Sequence, residues 1–147
     1  MKELTTYRLP FNVKEMLKLE IVTPERKVFD DSVDSVTVPT ASGEAGILPN
    51  HAPLVSALKP GILSYSNKGT VDKLAVSGGF VEVSSNKVSI LTDSAQAPGE
   101  IDAAAARVDR EAAEKALAAH ATAALEETEA DREKLESANV RLQLAGK

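Results

Sequence analysis

Residues 38–63 read Val38-Pro39-Thr40-Ala41-Ser42-Gly43-Glu44-Ala45-Gly46-Ile47-Leu48-Pro49-Asn50-His51-Ala52-Pro53-Leu54-Val55-Ser56-Ala57-Leu58-Lys59-Pro60-Gly61-Ile62-Leu63. Pro39, Pro49, Pro53 and Pro60, with Gly43, Gly46 and Gly61, are set between short apolar pairs such as Ile47-Leu48, Leu54-Val55 and Ile62-Leu63. Proline lacks the N–H that a helix interior requires, and glycine weakens a helix. The stretch therefore reads as strands joined by tight turns.

On either side of it, residues 17–97 alternate in the strand manner. Leu17-Lys18-Leu19-Glu20-Ile21 places apolar groups on one face and charges on the other. Val33-Asp34-Ser35-Val36-Thr37-Val38, Val71–Val76, Phe80–Val83 and Val88–Leu91 read similarly. Turn signals separate them at Thr23-Pro24, Ser66-Asn67-Lys68-Gly69 and Ser84-Ser85-Asn86-Lys87. Short strands at this spacing predict a β-sandwich or flattened barrel. Gly78-Gly79 interrupts one run, which predicts a bulge or a close approach of backbone. Asp30, Asp31 and Asp34 lie among strand-alternating valines. They read as a solvated strand edge whose charges oppose aggregation, not as a cation site.

The composition changes after Pro98-Gly99. Twelve of the residues from Asp102 to Ala124 are alanine, the best helix former but one that buries little surface. Asp102 is placed as an N-cap. A turn is predicted at His120-Ala121-Thr122, followed by a second helix from about Leu125 to Leu144. The acidic run Glu126–Asp131 suits that helix's N-terminus. Glu111–Lys115 and Arg132–Glu136 have i,i+4 spacing for ion pairing. The apolar stripe of the second helix is thin, with Leu135, Ala138 and Leu142 on one side and Val140 and Leu144 off it. Residues 100–147 carry 7 basic and 11 acidic groups, a net −4, while residues 1–99 carry 10 and 11, a net −1. A hairpin that buries mainly alanine reads in two ways, as an element that docks weakly and moves at small free-energy cost or as a stable helical cap on the sandwich. The organisation read from the chain is an N-terminal extension (1–15), a β-sandwich domain (16–98) and a regulatory helical hairpin (99–147). This is an α+β chain with its helices at the end.

Composition excludes several functions. The 147 residues hold no cysteine and two histidines, leaving no thiolate chemistry and little for a histidine metal site. A net charge of −5 opposes nucleic-acid binding. No apolar run reaches the ~20 residues of a membrane span. The first fifteen residues lack the apolar core of a secretory signal and read as an extension before an alternative start at Met16. Neither a P-loop nor a dinucleotide-binding glycine pattern occurs. His51 has no serine or cysteine motif to serve as base, so no catalytic group is assigned.

The run Gly43-Glu44-Ala45-Gly46-Ile47-Leu48-Pro49-Asn50-His51-Ala52-Pro53-Leu54, followed by Lys59-Pro60-Gly61, resembles the epsilon subunit of the F-type ATP synthase, called delta in mitochondria. Val76-Ser77-Gly78-Gly79-Phe80-Val81-Glu82-Val83 is a second match. The resemblance runs from about Leu17 to the C-terminus. It implies a non-catalytic rotor subunit at the foot of the central stalk, coupling ion flow to ATP synthesis. Its implied partners are the gamma subunit, the ring of c subunits and, transiently, the alpha and beta subunits. Contact with the membrane is implied only through the complex, at the cytoplasmic face of the bacterial inner membrane. The helical hairpin of the family folds down or extends along gamma, and the extended form inhibits ATP hydrolysis in many bacterial members.

Carried over residue by residue, the resemblance implies a c-ring contact through Glu44, Asn50 and His51. It implies contacts of the regulatory helix through Arg132, Lys134 and Arg141. It also implies a degenerate ATP motif at Ile101, Asp102 and Ala106, with Arg141 from the second helix. Ala105 stands where the motif has arginine, and Arg107 lies about 200° further round the helix. No cofactor is expected, because the charge-assisted contact to a phosphate is missing. Two competing functions are a stand-alone β-sandwich ligand-binding module with a helical tail and a small hydrolase. The first lacks aromatic platforms and the second lacks a nucleophile–base pair.

Overall fold

Aliphatic residues at alternate positions give each strand one face that avoids water, and the fold pairs those faces. The computed structural model describes residues 16–146, so the extension read at 1–15 lies outside the described residues. Ten strands precede the helices: β1 Leu17–Val22, β2 Lys27–Val33, β3 Ser35–Thr40, β4 Gly43–Ile47, β5 Leu54–Leu58, β6 Gly61–Asn67, β7 Thr70–Val76, β8 Gly79–Ser84, β9 Lys87–Thr92 and β10 Ala95–Gln96. A short 3-10 turn at Pro98–Glu100 leads to α1 (Ala103–Ala119) and α2 (Leu125–Ala145).

The strand path is β10-β7-β6-β3-β5-β8-β9-β1-β2, with β4 on the other side of β3. Its two layers meet at β3, which pairs β6 through Ser35–Thr37 and touches β5 only at Thr40↔Leu58. All pairings are antiparallel except β1 with β9. The layers close on one core containing Leu17, Leu19, Ile21, Val33, Val36, Val38, Ile47, Leu63, Val81 and Ile90, all essentially inaccessible. Phe29 of β2 and Tyr65 of β6 stack with ring centroids 4.5 Å apart and help close the far side.

The hairpin turns follow from residues that tolerate positive φ. Lys68-Gly69 (φ +54° and +82°) and Ser85-Asn86 (φ +50° and +60°) each form a two-residue connection of the kind that matches strand twist. Strand β2 is an edge, and its exposed face carries the expected charges. Lys18 meets Asp30 at 2.8 Å, and Lys27 bridges Glu20 at 2.9 Å and Asp30 at 3.1 Å. Hydrogen bonds from Lys18 and Lys27 hold the Asp30 carboxyl below the usual carboxylate range, and Lys27 does the same to Glu20. Asp31 and Asp34 accept backbone N–H bonds from Ser32 and Lys68.

The helices lie where the alanine-rich segment predicts. Asp102 caps α1, its Oδ1 accepting from Ala105 N at 3.0 Å. The turn spans residues 120–124, and α2 ends one residue beyond Leu144. Helix α2 packs on β6, β7 and the 3-10 turn, and α1 packs mainly on α2. Both anticipated i,i+4 ion pairs are absent among the described residues. Arg132 instead folds back, donating to Thr128 Oγ1 at 3.2 Å and to the Leu125 carbonyl at 2.5 Å. Long helical side chains lean toward the N-terminus, where the Leu125 carbonyl and the Thr128 hydroxyl each have a lone pair to accept a further bond. Glu111 and Lys115 are both exposed and gain little by leaving water.

Gly79 is the close approach that the double glycine predicts. Its φ is +153°, and a Cβ there would lie 1.9 Å from the Leu91 carbonyl oxygen. At Gly78 the nearest atom would be the Leu58 carbonyl oxygen at 3.7 Å, an ordinary contact. Gly79→Ala is therefore expected to destabilise the chain by roughly 2–4 kcal/mol and Gly78→Ala by under about 1 kcal/mol. Denaturant unfolding of the two variants checks this, and equal losses would contradict the steric account.

Candidate partner-binding site

Three surfaces stand out, and two of them carry the residues singled out above. The first is β4 and the loop after it. Gly43 enters the strand at φ +122°, a conformation costly for any residue with a Cβ. It sits at the end of the β3–β4 hairpin, where Thr40 Oγ1 donates to its carbonyl at 2.5 Å. Glu44 follows, exposed and opposite Pro39. Asn50 adopts φ +67°, and its N–H donates to Asn86 Oδ1 at 2.6 Å, fastening this loop to the β8–β9 turn. His51 is half-buried, with its N–H on the Leu48 carbonyl at 3.1 Å and Nδ1 2.7 Å from the Ala52 carbonyl oxygen. That short contact requires the proton on Nδ1, leaving Nε2 as the free ring nitrogen. Asn50 and His51 thus share one rigid loop. Glu44 stands at the opposite end of β4, about 10–15 Å away along the strand. The fold presents these residues on one connected segment and does not gather them at a point.

The second surface escaped the sequence reading. Across the outer face of one layer, Ala57, Phe80, Leu91 and Val22 fall in register on β5, β8, β9 and β1. Phe80 is 61% exposed, Leu91 56% and the nearby Val55 73%. Large apolar side chains lined up in water on neighbouring strands mark an interaction face. The signal was present in the chain as apolar pairs that break strand alternation: Leu54-Val55, Phe80-Val81 and Ile90-Leu91.

The third surface is a groove of about 770 Å³ between the hairpin and one end of the sandwich. Pro60, Ser77, Gly78 and Asp93 line one side, and Asp109, Asp131, Glu133, Lys134 and Arg141 line the other. Arg141 reaches from α2 to α1, its Nη2 3.1 Å from Asp109 Oδ2. Of the residues that the resemblance implies for nucleotide, only Arg141 lines this groove. Asp102 is committed to its cap, and Ala106 is buried in the helix contact. Arg132 is turned onto its own helix, while Lys134 is exposed at the groove's edge. Among the described residues, no group of His, Asp or Glu is arranged to hold a metal ion.

Comparison with known proteins agrees with this geometry. Residues 16–98 match the beta-sandwich domain of the ATP synthase Delta/Epsilon chain. The ATP synthase epsilon chain of Pelotomaculum thermopropionicum is 48% identical over 101 residues, covering 69% of this chain and 75% of that one. The epsilon chain of Desulfitobacterium hafniense strain DCB-2 is 50% identical over 100 residues, covering 67% and 75%. Among solved structures, a chain of the Euglena gracilis mitochondrial ATP synthase (OSCP/F1/c-ring, rotational state 1) superposes with a TM-score of 0.70. Its identity is 27%, and the match covers 90% of this chain and 82% of that one. A sandwich followed by a two-helix hairpin, carrying this loop signature, defines a rotor-subunit class. The chain belongs to the Delta/Epsilon family of F-type ATP synthase subunits.

Ala105 offers a bound phosphate no charged hydrogen bond, a contact worth about 1.5–3 kcal/mol. Calorimetry is therefore expected to find ATP binding to the natural chain weaker than to Ala105→Arg by about ten- to a hundredfold. Tight binding by the natural chain would show that another group supplies the contact.

Proposed function

We propose that this chain is a non-catalytic rotor subunit that transmits torque between the c ring and the gamma subunit. As a member of its family it is a subunit of the ATP synthase central stalk. The exposed row of Phe80 and Leu91, with Val55 beside it, carries the reading. A rigid sandwich that displays aliphatic and aromatic groups in register is built to be covered by a partner. We assign that face to gamma. The β4 segment is assigned to the polar loops of the c ring, with Glu44 as an exposed carboxylate and the Asn50–His51 loop as a platform of fixed shape.

Membrane attachment in this reading runs through the c ring. Among the described residues no helix is long and apolar enough to cross a membrane. The same reading puts the chain at the cytoplasmic face of the bacterial inner membrane. The hairpin serves regulation. Its second helix offers Lys134, and Arg132 and Arg141 once they leave Leu125 and Asp109, for transient contact with the alpha and beta subunits and for restraint of ATP hydrolysis. Its net −4 limits the electrostatic attraction that such contact can draw on.

Two experiments test the assignment. Phe80→Glu with Leu91→Glu is expected to lower co-purification with gamma by at least tenfold while leaving the fold intact, since both side chains already face water. Retained co-purification would remove gamma from that face. Replacing both Glu44 and His51 by Ala is expected to lower the ratio of ion pumping to ATP hydrolysis in the assembled complex. An unchanged ratio would remove the c-ring contact from the β4 segment.

A further inference from the structure

Helix α1 has little to hold it. Its buried residues are Ala106 and Ala113 alone, and its neighbour is chiefly α2. Alanine contacts contribute little area, so the apolar hold on α1 is small. One polar contact joins the two helices among the described residues. Arg141 of α2 reaches Asp109 of α1 at 3.1 Å, and its Nε is also directed at the Ser137 carbonyl at 3.4 Å. The Arg141 side chain is 20% exposed and that of Asp109 54%, so salt reaches this pair about as readily as Lys27–Glu20 of the ladder on β1 and β2.

The same pair decides what the groove can accept. Four carboxylates line it, those of Asp93, Asp109, Asp131 and Glu133, against two cations, Lys134 and Arg141. Arg141 already has its counter-ion in Asp109. A polyanion entering here meets net negative charge and a guanidinium already paired. The residues present do not fit a nucleotide.

We infer that Asp109 is the built-in counter-ion of Arg141, pinning α1 against α2 and making the closed hairpin independent of bound nucleotide. The inference rests on reading the hairpin as the movable, regulatory part of the chain. It departs from the nucleotide motif that the sequence resembles. A carboxylate of the chain itself holds Arg141, so the closed state needs no ligand and does not report on ATP concentration. Opening the hairpin exchanges this pair for solvated charges, and ionic strength then takes the place of nucleotide as the governing variable.

Hydrogen exchange of α1 amides in the isolated full-length chain tests this. The set is the natural chain, Asp109→Asn, Arg141→Gln and the double variant, each with and without Mg-ATP. Each single substitution is expected to lower α1 protection by about 1.4- to 5-fold, the range for a lone ion pair at a surface. The double variant is expected to lose no more than either single one, because the two residues act as one unit. Added ATP is expected to leave the natural chain's α1 protection unchanged, and added salt to lower it in the natural chain only. Additive losses, unaltered protection in the single variants, or ATP-induced protection of the natural chain would each overturn the inference. The regulatory reading is judged separately, by hydrolysis in the whole complex with and without the hairpin. A hairpin without effect there would refute that reading while leaving the exchange result standing.

Discussion

The rest of the structure depends on the burial of one aliphatic core between two layers that only β3 joins. With aromatic residues at 3% and no tryptophan, the core is assembled from Val, Ile and Leu. Branched side chains are stiff, suit pleated strands and pack with little rotamer loss. A core of this kind is rigid, and the loops and outer faces inherit that rigidity. This is why a loop such as Asn50–His51 can hold a fixed shape. It is fastened to the β8–β9 turn, and the strands of that turn, β8 and β9, are anchored by Val81, Val83, Val88 and Ile90.

The hairpin obeys a different balance. It buries Ala106, Ala113, Ala138, Leu142 and Thr128, and it spans a groove instead of a filled seam. Helices held by so little apolar area stand close to the free energy of alternative arrangements. In such an element single polar contacts carry weight that they would not have in the sandwich. Arg141–Asp109 fixes one helix to the other, and Arg26–Glu100 at 3.2 Å fixes the linking turn to the β1–β2 connection. The large aliphatic contacts are thus concentrated in the sandwich, and the hairpin rests on few.

The outer faces divide between charge and grease. On β1, β2 and β9 the ladder of Lys18, Glu20, Lys27, Asp30 and Lys87 keeps an edge soluble. Further along the same layer, Phe80 and Leu91 stand in water at comparable positions of the pleat. Solubility alone would have placed polar groups there. The difference between neighbouring strips of one sheet is therefore the mark of a face reserved for a partner.

The sequence by itself determined most of the strands, the helices and the break between them, but the run read as one strand at 33–38 is divided at Asp34, where β2 ends and β3 begins. Period-two alternation, proline and glycine punctuation and alanine content are local properties of the backbone. The turns around Glu44, Asn50 and His51 were legible because their proline and glycine residues are spelled out in one continuous run. Asp102 was legible because a cap acts only a few residues ahead. The parallel pairing of β1 with β9, the single link of β3 to β5 and the row from Ala57 to Val22 join residues distant in the chain. No local pattern encodes them. The partner of Arg141 was decided in the same way. The family resemblance offered it to a nucleotide or to another subunit, and the packing of α2 on α1 brings Asp109 to it. Charge is written in the sequence, but the distance that makes two charges a pair is set only when the helices meet.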